Sequence, residues 1–126
     1  MDADPARHLK LGRGSLSDIE FTVQLLQLRH GVRGARTLGA LDALVEAGHL
    51  PVEEADVLAE AYRFCERARN RSTLVVGTGD SLPIAPEKAT PLARSLGSSV
   101  ADLRAEYRRV TRRARRIVER RFYDRA

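Results

Sequence analysis

From Val100 onward the apolar residues recur every three or four positions, at Val100, Leu103, Tyr107, Val110, Ala114, Ile117 and Val118. At about 100° per residue this spacing lays them along one side of a long helix and leaves arginines around the rest. A stripe of that length has to be covered by other elements. No stretch alternates apolar and polar residues as a half-buried strand would. Leu74-Val75-Val76 is too short and lies in phase with the residues before it. The covering elements must therefore be helices.

Local signals mark where those helices begin and end. Ser99 followed by Asp102 opens the last one. Ser17 with Glu20 three residues later has the form of a capping box, so a first helix is predicted over about 17 to 30, stopping near Gly31 or Gly34. It carries apolar residues on two sides. Ile19, Val23 and Leu26 form one stripe and Phe21, Leu25 and Leu28 lie roughly opposite, which predicts a helix sandwiched between layers. Thr37 is the expected N-cap of a second helix running to about Ala47, with Gly48 as its stop. Pro51 opens a third, with Glu53 and Glu54 in its first turn, running to about Val76 before Gly77 and Gly79. The stretch from Gly77 to Pro91 reads as a loop until Thr90-Pro91 caps a short segment ending at Gly97. The predicted fold is all-α, an antiparallel up-and-down bundle of four long helices plus a short one over 10–126, with 1–9 as a lead-in.

The 126 residues suffice for one domain. The single Cys65 rules out an internal disulfide, and its phase with Leu58 and Tyr62 makes it a core filler. No run approaches the roughly 20 apolar residues that span a bilayer, and the N-terminus lacks the layout of a signal peptide, so a cytoplasmic location is expected. The net charge of +5 is uneven: from Arg104 onward ten arginines face Glu106, Glu119 and Asp124. That imbalance suits either a solvated or domain-facing helix face or an arm for nucleic acid or an acidic partner. Without an aromatic platform, nucleic acid is the weaker reading.

Reacting groups are scarce. His8, His30 and His49 have no ligand spacing, no cysteine pair exists, and Asp2-x-Asp4 lacks a framing strand, so no metal site is predicted. Asp18 and Glu20 project about 200° apart on one helix and cannot share a proton or an ion. Gly12-Arg13-Gly14 before a helix start invites comparison with phosphate-cradling loops, but no lysine-serine ending follows. The two carboxylates in the first turn also outweigh the roughly +0.5 charge of a helix N-terminus. Lys10 and Arg13 are then expected to neutralise those carboxylates, and the turn to serve as a structural latch.

The stretch Lys10-Leu-Gly-Arg-Gly-Ser-Leu-Ser-Asp-Ile-Glu-Phe21, followed by Val23-Gln-Leu-Leu-Gln-Leu-Arg-His30, resembles the helical segment that follows a nucleotidyltransferase domain in glutamine synthetase adenylyltransferases. The uridylyltransferase that modifies PII proteins carries a related motif. The resemblance continues in Tyr62-Arg-Phe-Cys-Glu-Arg-Ala-Arg-Asn70, in Ser81-Leu-Pro83, in Tyr107-Arg-Arg-Val-Thr-Arg-Arg-Ala114 and in Phe122-Tyr123. Ser15 stands where that family often has a further glycine.

The resemblance implies an enzyme that adds AMP from ATP to glutamine synthetase and removes it by phosphorolysis, with ATP and Mg²⁺ held elsewhere, by a glycine-serine plus Asp-x-Asp motif that this chain lacks. It implies a missing upstream nucleotidyltransferase domain, the AMP-adding one, with glutamine synthetase and PII as partners and no catalytic residue here. Lys10, Arg13, Asp18 and Glu20 would face the neighbouring domain or its nucleotide cleft. Arg67, Arg69, Arg112 and Arg116 would form a further partner surface. The rival reading is a stand-alone helical module whose arginine-rich last helix binds nucleic acid or an acidic partner.

Overall fold

The computed structural model describes residues 8–123, with side chains through Phe122. The expected lead-in, up to residue 7, and Asp2-x-Asp4 lie outside the described residues. Five helices follow one another: α1 (Leu16–His30), α2 (Thr37–Glu46), α3 (Val52–Val76), α4 (Pro86–Ser95) and α5 (Val100–Tyr123). Among the described residues the only β-type pairing is an isolated antiparallel bridge between His8 and Ser81. The all-α class is as expected, but the lengths differ: α2 and α4 have ten residues each, against 15, 25 and 24 for α1, α3 and α5.

The stripe that demanded cover has it. Leu103, Tyr107, Val110, Ala114, Ile117 and Val118 are buried against the other helices, with Leu58, Ala61, Phe64, Cys65 and Ala68 supplied by α3. Cys65 is fully buried, the core filler its phase implied. Along the edge of this contact Glu54 meets Arg120 and Arg121 at 3.0 and 2.8 Å, and Glu60 meets Arg109 and Arg113 at 2.7 and 3.0 Å. Numbers rise along α3 as they fall along α5, so this pair runs antiparallel. Glu54 is the better covered acid, only 14% exposed, and binds two guanidiniums at once.

Helix ends follow the local rules with three corrections. Ser99 caps α5 as expected, its Oγ accepting the Asp102 amide at 3.0 Å. α1 starts one residue earlier than predicted, at Leu16 after Ser15, and the Ser17–Glu20 capping box does not form. The Glu20 carboxylate instead accepts the Tyr62 hydroxyl at 3.0 Å. Thr37 is the first residue of α2 rather than its cap, the cap position being taken by Arg36 in an extended conformation. α4 begins at Pro86, inside the stretch read as loop. Pro91 sits in its second turn, where the lost amide bond is offset by burial of Ala89, Leu92 and Ala93.

The two-sided burial predicted for α1 is also corrected. Ile19, Val23 and Leu26 are buried, but Phe21 is 60% and Leu28 84% exposed. α1 packs on α2, α3 and α5, and of the second stripe only Leu25 is half-buried. At its far end the His30 ring stacks on His49, with centroids 3.9 Å apart.

The caps supply a direct test. Ser99→Ala should lower the unfolding free energy by about 1 kcal/mol, whereas Ser17→Ala should stay within about 0.5 kcal/mol of the parent. Urea unfolding of both variants checks it.

Candidate functional site at the turn before the first helix

Residues 8 to 15 form a compact turn that makes several hydrogen bonds within itself. The amide of Gly12 reaches the His8 carbonyl at 2.8 Å and that of Ser15 the Gly12 carbonyl at 3.0 Å, while Leu11 donates to His8 Nδ1 at 2.9 Å. The first amides of α1 are spent too, Leu16 on the Leu9 carbonyl at 3.2 Å and Ser17 on the Lys10 carbonyl at 2.8 Å. Gly14 donates to the Asp18 carboxylate at 2.8 Å. A phosphate cradle needs such amides free and pointing outward. Here the amides of Gly12, Gly14, Ser15, Leu16 and Ser17 are committed, and Gly12, Gly14, Ser15 and Leu16 are buried.

What the turn does have is a rigid seat on the rest of the chain. Leu9 is fully buried and its amide donates to the Asp80 carbonyl at 2.7 Å, tying the turn to the loop after α3. The Ser15 hydroxyl lies 3.1 Å from that of Tyr107 on α5, and the same Tyr107 hydroxyl donates to the His8 carbonyl at 3.3 Å. Gly14 has φ 74°, and a Cβ added there would stand 2.1 Å from the Thr111 carbonyl oxygen. The glycine is needed for its close approach to α5 and for its left-handed backbone.

The four residues singled out from the sequence occupy different settings. Lys10 and Arg13 are exposed, whereas Asp18 and Glu20 are half-buried. Both carboxylates take neutral donors, the Gly14 amide and the Tyr62 hydroxyl, rather than the cations expected to neutralise them. Glu20 also lines a hollow of about 720 Å³ with Gln24, Arg36, Tyr62 and Glu66. Partial loss of water, with the Glu20 carboxylate adding to it, holds the Tyr62 phenol above its usual range, so it stays a donor.

The second set divides as well. Arg69 pairs with Asp80 at 3.3 Å, and so braces the loop under the turn. Arg67 is exposed on α3, near enough to Glu106 to help hold that carboxyl below its usual range, a shift due first to the hydrogen bond from Arg109. Arg112 and Arg116 share a shallow groove on α5 with Arg108, and neither Arg67 nor Arg69 lines it.

Three features escaped the sequence. Tyr107 read as a core residue, yet its hydroxyl is the tie between the turn and α5. Tyr62 read as core stripe, yet it is the donor to Glu20. Leu11 at the turn is 65% exposed, and Phe21 and Leu28 are exposed along α1. Phe21 and Leu28 lie two helical turns apart on the side of α1 that Ser17 heads. Thus the turn offers shape and apolar surface. Among the described residues no group of three or more His, Cys, Asp or Glu side chains could hold a metal ion.

Gly14→Ala should cost about 2–4 kcal/mol of stability, from backbone strain and the clash with α5 together. Gly31→Ala, with φ 66° but nothing within 4 Å, should cost about 1 kcal/mol. Urea denaturation separates the two. Burial pushes the Cys65 thiol up to about 12. A thiol reagent at pH 8 should therefore modify the native protein only as fast as it unfolds, which following adduct formation against urea concentration tests.

The comparisons with known proteins bear on what surface of this kind is for. A family model described as GlnD PII-uridylyltransferase matches residues 3–122. A bifunctional glutamine synthetase adenylyltransferase/adenylyl-removing enzyme from Streptomyces avermitilis is 47% identical over 96% of this chain. Proteins of the same name from Streptomyces coelicolor and Mycobacterium avium are 46% and 43% identical over 96% and 95% of it. The chain spans about 13% of the length of each of these relatives. No solved structure matches it. With its whole helical body from α1 to α5 inside the matched residues, the chain belongs to the family of GlnD PII-uridylyltransferase and the bifunctional glutamine synthetase adenylyltransferases.

Proposed function

We propose that this chain is a helical domain of an enzyme that adenylylates and deadenylylates glutamine synthetase, and that it packs on and orients the enzyme's nucleotidyltransferase domain. The observation that carries the reading is the exposure of Phe21 and Leu28 on one side of α1, a helix whose leading turn is anchored to α5, in a chain that spans 13% of the length of its relatives. Exposed apolar side chains grouped on one helix face favour a permanent neighbour over water.

In this reading residues 10–126 form an up-and-down bundle, and the neighbour precedes it and is the AMP-adding domain. Arg13, exposed at the tip of the turn, and Asp18 and Glu20, behind it, border the contact; Lys10 lies at its edge. ATP and Mg²⁺ belong to the nucleotidyltransferase domain, since the amides of this turn are already committed. Glutamine synthetase is the protein substrate, PII a regulator, and the cytoplasm the setting. Among the described residues no helix is long and apolar enough to cross a membrane.

The double variant Phe21→Gln, Leu28→Gln removes the surface while leaving the core untouched. Within the full-length enzyme it should lower the rate of AMP transfer to glutamine synthetase by about tenfold or more, the loss of two well-covered apolar contacts. The isolated chain carrying both changes should keep its urea midpoint. Parental AMP transfer by the double variant, and by a second one with Arg13→Glu and Glu20→Lys, would overturn the proposal.

A further inference from the structure

The arginines of α5 are divided by their partners. Arg109 and Arg113 reach Glu60, Arg120 and Arg121 reach Glu54, Arg115 pairs with Glu119 at 3.0 Å, and Arg104 donates to the Ile84 carbonyl at 3.4 Å. Arg108, Arg112 and Arg116 are exposed, and no carboxylate lies within ion-pair distance of them among the described residues. They stand at i, i+4 and i+8, in one row about 12 Å long on the side of α5 opposite its buried stripe. Like charges at that spacing destabilise a helix. The row therefore has a cost in the free chain that the paired arginines do not have.

We infer that Arg108, Arg112 and Arg116 dock an acidic surface of a partner protein, and, resting on the function proposed above, that this partner is the enzyme's protein substrate. The charge pattern chooses among occupants. A guanidinium takes a carboxylate side-on through two N–H groups, and three of them one turn apart match acidic side chains at similar intervals on a helix or loop. A nucleic-acid strand is a poorer match. Glu60 and Glu106 border the row on its α3 side, keeping the positive strip narrow, and no aromatic residue lines the groove to stack a base. A small anion would sit on an open helix face with nothing to enclose it.

The test uses the full-length enzyme with purified glutamine synthetase. AMP transfer by the parent enzyme comes first: its absence would sink the functional reading, whatever the row does. Given that activity, the triple variant Arg108→Gln, Arg112→Gln, Arg116→Gln should raise KM for the protein substrate about tenfold. kcat should stay within about twofold, and the fall of kcat/KM with added salt should flatten. The triple Arg→Lys variant, which keeps the charge, should recover most of the affinity. A parental KM and salt slope in the Gln variant, or a loss confined to kcat, would overturn the inference. So would a salt-sensitive gel shift of the isolated parent chain on RNA that the Gln variant loses.

Discussion

The seat of the front turn on α5 is the constraint on which the surface of this protein depends. Tyr107 sends its hydroxyl out of the core to Ser15 and the His8 carbonyl, and Gly14 comes close enough to the Thr111 carbonyl that no side chain fits between. Once those contacts are made, the direction in which α1 leaves the turn is settled. The first two amides of α1 are then satisfied by the Leu9 and Lys10 carbonyls, and that of Gly14 by Asp18. A glycine-rich turn before a helix can serve anions or it can serve packing. Here packing takes the amides of Gly12, Gly14, Ser15, Leu16 and Ser17.

That choice gives the outside of α1 its character. With its inner face closed on α2, α3 and α5, the helix has no second layer for Phe21 and Leu28, and they remain on the surface. Their exposure costs the isolated chain free energy that a covering domain would return. The Cys65 thiol shows the opposite case: it sits beside Ser15 under the turn, where burial suppresses its ionisation and leaves it a packing atom.

Charge is handled by the same division. Glu54 and Glu60 on α3 each take two arginines of α5, so the longest helix pair is joined by an apolar seam with ion pairs along its edge. Pairs this exposed add little to stability individually, and Glu54, the better covered, is the strongest of them. Their larger effect is on what remains. By drawing Arg109, Arg113, Arg120 and Arg121 toward α3, they leave Arg108, Arg112 and Arg116 as a separate row facing away from the body.

Much of the fold was legible in the sequence because helix period and end signals act within a few residues. The α5 stripe, the Ser99 cap, the stop of α1 at Gly31 and of α3 at Gly77, and the burial of Cys65 all follow from spacing and local backbone chemistry. The motif from Lys10 to Phe21 carried the family in the same way. Tertiary structure alone decided where Glu20 and Tyr107 send their polar atoms, whether the second stripe of α1 is covered, and which arginines are spent. Those outcomes depend on partners as far away as 99 residues, in the His8–Tyr107 pair. Periodicity fixes the side of a helix on which a residue stands, but a side chain pairs with whatever the packed fold brings within about 3 Å of it.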